Sequence, residues 1–226
     1  MSSLVDNDSS GVFRVAGSRI GRPIGLTPKR LVDIFLAISG IVLLAPLLIF
    51  CCVATAITSP GPVLFRHKRV GFNGKHFDCL KFRTMVTDAS ERLRLLLESD
   101  PSAAAEWAAN RKLKHDPRVT VIGAILRKSS LDELPQLFNV LKGEMSIVGP
   151  RPVTDEELER YTNSIGAYLA CKPGITGLWQ VSGRSSTTYD KRVACDTFYA
   201  RNWSMALDAK ILIVTIPSLL VSDSAY

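Results

Sequence analysis

The longest apolar stretch of the chain covers residues 34–57, where 24 consecutive positions carry no charged side chain. As a helix it would measure about 36 Å, which exceeds the roughly 30 Å hydrocarbon core of a bilayer. Pro46 lies near its middle, where it cannot donate a hydrogen bond to the carbonyl of Val42 and its ring clashes with that carbonyl. The pattern predicts a retained membrane helix that is broken at Pro46.

Basic residues flank this segment at both ends. Arg14, Arg19, Arg22, Lys29 and Arg30 precede it, and Arg66, Lys68 and Arg69 follow it. A spanning helix usually shows such a bias on one side only. The flanks therefore favour a re-entrant helix that enters and leaves on the cytoplasmic face, with Pro46 as its hinge. A kinked spanning helix is the alternative, because such helices tolerate proline.

Shorter patterns follow the apolar segment. Residues 63–70 and 75–82 alternate around a glycine-containing turn at 71–74, which predicts a β-hairpin. Helical periods cover 89–98, 101–113, 119–128, 134–141 and 155–168, and the apolar stretch at 211–221 is too short to span a membrane. Its expected place is the core or the membrane interface.

These patterns predict an α+β fold that is mostly α. Residues 1–27, which are rich in Ser, Gly and Arg, form a flexible basic arm in this prediction. Residues 28–60 form the proline-broken re-entrant helix. Residues 61–226 form a cytoplasmic body with a small β-hairpin and several helices, some of them interfacial.

The charge balance narrows the choice of partners. The chain has 28 Lys and Arg against 21 Asp and Glu, a net charge of +7, which suits anionic lipid, phosphorylated small molecules or nucleic acid. The arginines are interleaved with Gly-Pro turns and acidic residues, which disfavours nucleic acid. Five cysteines without a C-x-x-C pair argue against a disulfide framework or a zinc site and indicate a reducing cytoplasm.

Two adjacent carboxylates, Asp132 and Glu133, are the leading candidates for chemistry. Ser130 and Glu133 have capping-box spacing, so both carboxylates could simply stabilise the start of a helix. Pro135 would then fall inside that helix, and such local conflicts tend to collect at functional sites. Alternatively, one carboxylate could attack phosphorus while Glu133 binds Mg²⁺, which accepts one or two carboxylates together with phosphate oxygens.

Several cations could balance a phosphate group near this pair. The candidates are Lys81, Arg83, Arg127, Arg151 and Arg184. Each one alone is more often a solvated surface charge. Arg151 is favoured because Pro150 and Pro152 stiffen the backbone that presents it.

The order of these segments resembles the bacterial sugar transferase family, also called monotopic phosphoglycosyl transferases, and most closely its small ExoY-type members that initiate exopolysaccharide assembly. The resemblance runs from residue 28 to about 203. It rests on PVLFRHKRVGFNGKHFDCLKFRTM at 62–85, DPRVTVIGAILRKSSLDELPQLFNVLKGEMSIVGPRPV at 116–153, KPGITGLWQVSGR at 172–184 and DTFYARNWS at 196–204. LDELPQ followed by MSIVGPRP is its most specific part.

The resemblance implies an enzyme of the bacterial inner membrane whose catalytic domain faces the cytoplasm. Such an enzyme transfers a sugar phosphate, galactose or glucose phosphate, from a UDP-sugar to polyprenyl phosphate and requires magnesium. By this resemblance Asp132 is the nucleophile and Glu133 the magnesium ligand. Lys81, Arg127, Arg151 and Arg184 would bind phosphates or the nucleotide.

One departure from the family and two competing functions remain at this point. The family usually has Ser-Pro at the membrane break, whereas this chain has Ala45-Pro46, so no serine hydroxyl is present there to bind a freed carbonyl. A membrane-anchored protein that binds anionic ligands without turnover is the first alternative. A metal-dependent hydrolase that uses the same carboxylates is the second. The sequence is compatible with a homo-oligomer.

Overall fold

Helices make up most of the computed structural model, which describes residues 5–7, 13–15, 28–110, 113–182 and 188–220. The helices are α1 (Pro28–Leu43), α2 (Ala45–Thr58), α3 (Ala89–Ser99), α4 (Pro101–Asn110), α5 (Val121–Lys128), α6 (Gln136–Lys142), α7 (Asp155–Glu159), α8 (Ile165–Leu169), α9 (Leu178–Val181), α10 (Tyr189–Asn202) and α11 (Met205–Leu220). The strands are β1 (Val5–Asn7), β2 (Phe13–Val15), β3 (Leu64–Val70), β4 (His76–Phe82), β5 (Ser146–Val148) and β6 (Gly174–Thr176). The predicted α+β class with a helical majority is confirmed.

The apolar segment folds as two helices, α1 and α2, bent by 65°. Pro46 lies in the first turn of α2, where the missing N–H leaves no helical bond unmade. The break expected at this proline is therefore present. Among the described residues no single helix is long and apolar enough to cross a membrane, whereas this bent pair meets both conditions together.

The two faces of the bent pair differ. Ala37 of α1 and Cys51 of α2 are fully buried against the rest of the protein. The opposite face exposes large apolar side chains, among them Leu31, Phe35, Val42, Leu43, Ile49, Phe50 and Ile57. An apolar surface of this kind is unusual on a water-soluble monomer.

The start of α1 is anchored in the protein body. The Lys29 Nζ donates to the carboxylate of Asp208 at 2.6 Å, to the carbonyl of Val148 at 2.9 Å and to the hydroxyl of Tyr199 at 3.2 Å. Arg30 donates to two carbonyls at the end of α6. Two of the basic residues that flank the apolar segment are thus bound to protein groups, so they carry less weight as indicators of topology than the sequence suggests.

The predicted β-hairpin is confirmed by β3 and β4, which pair antiparallel from Leu64↔Phe82 to Val70↔His76. Asn139 of α6 attaches to the second strand. Its Oδ1 accepts a hydrogen bond from the Leu80 amide at 3.0 Å, and its Nδ2 donates to the Asp78 carbonyl at 2.7 Å. These bonds fix α6 against the part of β4 that carries Lys81.

A short parallel pair, β5 with β6, was not predicted from the sequence. The backbones approach closely beside it, since a Cβ added to Gly174 would lie 2.1 Å from the amide nitrogen of Gly149. Glycine is required at Gly174 for this reason.

One helix prediction needs correction. The continuous helix expected over 155–168 is divided into α7, a 3₁₀ turn at Thr162–Ser164 and α8. This division places Leu158, Tyr161 and Tyr168 in one buried cluster. The C-terminal apolar stretch belongs to the longer helix α11, which begins at Met205, and it packs in the core through Ile211, one of the two places expected for it.

Candidate active site

Asp132 and Glu133 lie on a 3₁₀ turn, Leu131–Glu133, between α5 and α6. Ser130 adopts a left-handed conformation with φ of 57° and makes no side-chain cap, so the capping-box interpretation is wrong. Pro135 precedes α6 as its N-cap residue, where its missing N–H interrupts no helix. The local conflict seen in the sequence is resolved by ending one helix and starting another around the two carboxylates.

The two leucines at the ends of LDEL, residues 131–134, orient this turn. Leu131 and Leu134 pack on an apolar cluster that contains Cys51 of α2, Phe82 and Leu126. Helix α2 therefore forms part of the support beneath the carboxylates.

Lys81, from β4, is the cation nearest to both carboxylates among the predicted site residues. Its Nζ lies 2.7 Å from Oε1 of Glu133 and 3.9 Å from Oδ2 of Asp132. The side chain of Asp132 is 13% exposed and that of Glu133 is 32% exposed. The three groups form a partly buried cluster with a net charge of −1 when both acids are ionised.

The two carboxylates differ in their acidity. Burial raises the pKa of Asp132 to about 6, and the charge of Glu133 adds to this, while Lys81 opposes both. Burial would also raise the pKa of Glu133, but Lys81, Arg151 and Arg69 together hold that pKa below its ordinary value. Glu133 is thus a stable anion, and Asp132 is the more basic of the two carboxylates.

The predicted arginines have different surroundings. The Nε of Arg127 donates to the Thr84 hydroxyl at 2.8 Å. Arg83 is buried, and its Nη2 donates to the carbonyl of Ser59 just after α2, so part of its guanidinium holds the end of α2. Arg151 lies against the ring of Trp179. Arg184 lies outside the described residues.

Other charged groups near the carboxylates were missed in the sequence. Arg69 binds Glu157 at 2.7 Å and also contacts His67 at 3.2 Å. Arg192 of α10 lies 4.3 Å above the Trp179 ring. The sequence does not single out these two arginines, because Arg69 lies on β3 and Arg192 on α10, far apart along the chain.

One open cleft of about 2280 Å³ is lined by both carboxylates and by Lys81, Arg127, Arg151 and Arg192. Gly40 and Leu44, at the bend of the helix pair, line it together with Asp132 and Glu133. A substrate with an apolar tail and a phosphate head could therefore contact the bend and the carboxylates in the same cleft.

The carboxylate pair offers a magnesium ion only two protein side chains. Among the residues that the structure describes, no group of three or more His, Cys, Asp or Glu side chains could hold a metal. Magnesium commonly takes one or two carboxylates and completes its shell with water and substrate phosphates. Asp132 and Glu133 therefore suit an ion that is shared with a bound diphosphate.

Comparisons with known proteins show which family the chain is similar to. Residues 25–222 match the family model described as bacterial sugar transferase. The exopolysaccharide production protein ExoY of Rhizobium meliloti is 46% identical over 226 residues, which cover the whole of both chains. ExoY of Sinorhizobium fredii is 48% identical over 205 residues, 91% of each chain.

A longer relative shares the same region. The undecaprenyl-phosphate galactose phosphotransferase of Salmonella typhimurium is 50% identical over 198 residues, which are 88% of this chain and 41% of that protein. The family model covers most of the chain, and the ExoY proteins match it over nearly their full length. The chain therefore belongs to the bacterial sugar transferase family.

Proposed function

We propose that this protein transfers a sugar 1-phosphate, galactose or glucose phosphate, from a UDP-sugar to polyprenyl (undecaprenyl) phosphate as the first step of exopolysaccharide repeat-unit assembly. The observation that carries the proposal is a buried carboxylate, Asp132, whose pKa is raised to about 6 beside Lys81 in a cleft that reaches the bend of the helix pair. The names of relatives, such as the undecaprenyl-phosphate galactose phosphotransferase of Salmonella typhimurium, support the choice of substrate classes.

In the first step Asp132 attacks the phosphorus that carries the sugar. A bond forms between the Asp132 oxygen and this phosphorus, and the bond to the oxygen that bridges the two phosphates breaks. The electron pair stays on that oxygen, which leaves with UMP. Above pH 6 Asp132 is mostly ionised, so the nucleophile needs no separate base.

In the second step polyprenyl phosphate takes the sugar phosphate from the enzyme. An oxygen of the lipid phosphate attacks the same phosphorus, and the bond to Asp132 breaks to restore its carboxylate. The two substrates then use the cleft in turn, which predicts ping-pong kinetics.

Charge neutralisation is the role of the surrounding residues. Glu133, with Asp132 beside it, would hold a magnesium ion, which supplies positive charge to the diphosphate when bound. Lys81 keeps Glu133 ionised and lowers the repulsion between an incoming phosphate and the carboxylates. Arg127 and Arg151 supply further positive charge in the same cleft.

The attachment of the helix pair supports a re-entrant topology. Lys29, at the start of α1, bonds to Asp208, and Ser59, just after α2, bonds to Arg83. Both ends of the pair are thus held by the same body. In this proposal the body lies on the cytoplasmic side of the inner membrane, where UDP-sugars are found, and the exposed apolar face of the pair lies in lipid.

The test is an analysis of lipid products. Membranes that contain the protein are incubated with magnesium, polyprenyl phosphate and one of several UDP-sugars, and the lipids are measured by mass spectrometry. We expect a polyprenyl diphosphate sugar with UDP-galactose or UDP-glucose, and none with Asp132→Asn. Free sugar phosphate without lipid product would indicate a hydrolase, and no product with any sugar would indicate a binding protein.

A further inference from the structure

Two arginines and a tryptophan form a stacked cluster beside the carboxylates. The guanidinium of Arg192 lies 4.3 Å from the ring centroid of Trp179 and 5.3 Å from that of Tyr189. The guanidinium of Arg151 lies 5.4 Å from the same Trp179 centroid. Stacking on an aromatic face restrains the guanidinium plane while leaving its N–H groups available in that plane.

Three donors of this cluster have no hydrogen-bond partner among the described residues. They are the buried Nε atoms of Arg151 and Arg192 and the Nε1 of Trp179. The Oδ1 of Asp196 and the Oε1 of Gln180, in neighbouring residues, are buried acceptors that also lack a partner. Trp179 itself is only 6% exposed. Buried donors without acceptors are costly, so such a group in a cleft indicates a ligand that accepts hydrogen bonds.

Charge points to the same kind of ligand. Asp196 is the acidic residue whose charge interacts with both arginines, and one of its oxygens accepts a hydrogen bond from the Tyr161 hydroxyl at 2.7 Å. The charge of Arg151 also acts on Glu133 and Glu157 in the same cleft. Arg192 shares Asp196 with Arg151, and each guanidinium can bind a phosphate through two parallel hydrogen bonds.

The cluster adjoins the reacting phosphate. Arg151, Trp179 and Arg192 line the same cleft as Asp132 and Glu133. The charge of Arg151 also helps to hold the pKa of Glu133 down, which places this arginine within electrostatic reach of the carboxylates.

We propose that Arg192 and Arg151, positioned by Trp179, bind the phosphate of the nucleotide that leaves in the first step. This inference rests on the proposed function. When the bridging P–O bond breaks, its electron pair remains on the UMP oxygen, so UMP gains one negative charge. A guanidinium group bound there stabilises that charge as it develops, which accelerates departure of the nucleotide.

Binding of UMP tests the assignment without requiring turnover. Purified protein in detergent micelles with magnesium is titrated with UMP and, separately, with uridine, by calorimetry. We expect UMP to bind more tightly than uridine, and Arg192→Gln to weaken UMP binding by roughly 10- to 100-fold while leaving uridine binding nearly unchanged.

Arg160→Gln is the matched control. Arg160 also lies over the Tyr189 ring, at 4.9 Å, but it is exposed and does not line the cleft. Arg160→Gln should therefore leave the affinity for UMP unchanged. Thermal unfolding of each variant shows whether it is folded. If Arg192→Gln does not fold, Arg192→Lys carries the test, because it keeps the charge but loses the planar fork, and we expect a smaller loss of affinity for UMP.

The possible failures are distinguishable. If folded Arg192 variants bind UMP within twofold of the unsubstituted protein, the assignment of Arg192 is overturned and the proposed function stands. If the unsubstituted protein binds no UMP and makes no lipid product, both proposals are overturned.

Discussion

Replacing Asp132 by Asn should make the protein more stable while removing its activity. The side chain is 13% exposed, and its charge is only partly balanced because Lys81 lies closer to Glu133. Asn has nearly the same shape and carries no charge. At neutral pH the substitution therefore removes the cost of burying an ionised carboxylate.

The size of the effect follows from the pKa of Asp132. The fold raises this pKa from 3.8 to about 6, a difference of about two units, which corresponds to about 3 kcal/mol at 1.36 kcal/mol per unit. For a chain of this length the gain would raise Tm by about 6 to 12 °C. Because the pKa is raised, the native state binds more protons between pH 3.8 and 6, and stability falls as pH rises through this window. The advantage of Asn should be complete above about pH 6 and absent below about pH 4.

Thermal unfolding in detergent at pH 7.5 and at the lowest pH that the protein tolerates measures this difference. Glu133→Gln is the internal control with the opposite sign. Its pKa is lowered, so the ionised form stabilises the fold, and Gln should lower Tm at pH 7.5. The reasoning is refuted if Asp132→Asn lowers Tm at pH 7.5, or if its gain is the same at both pH values.

Three further predictions concern the charges and the bend. Because Asp132 must be ionised, kcat/KM should fall as pH drops below about 6, and Lys81→Met should move this fall to higher pH. A pH–rate profile that does not move would contradict this. Lys29→Met should lower stability by about 3 to 5 kcal/mol because it leaves Asp208 buried without its cation, and an unchanged denaturation midpoint would contradict this. Pro46→Ala should let some molecules span the membrane, as measured by labelling cysteines placed at both ends of the helix pair. Same-side labelling with full activity would show that packing, and not the proline, holds the bend.

Local features of this fold could be predicted from the sequence. The β3–β4 hairpin and the break near Pro46 depend on neighbouring residues, and both are present. The β5–β6 pair could not be predicted, because each strand has only three residues and the two pair across an intervening helical segment. Such pairing depends on tertiary contacts and leaves no periodic pattern.

In the candidate site, too, some features could be predicted from the sequence and others depend on tertiary contacts. Asp132, Glu133 and Lys81 could be singled out from charge pattern and resemblance, and the structure brings Lys81 within 4 Å of both carboxylates. The packing of α6 on β4 contributes to this arrangement. The capping box at Ser130 was a wrong prediction because local spacing does not reveal a left-handed residue. Arg192 was missed because its position on α10 becomes informative only once Trp179 is placed beside it.

The most direct test of the account is the release of UMP when no lipid acceptor is present. Purified protein is mixed with magnesium and an excess of the UDP-sugar that it uses, and UMP is followed by rapid quench. A covalent intermediate on Asp132 predicts a burst of UMP that approaches one molecule per active chain, followed by steady release when polyprenyl phosphate is added, and no burst with Asp132→Asn. If UMP appears only after the lipid is added, the sugar phosphate passes directly between substrates, and the role assigned to Asp132 is contradicted.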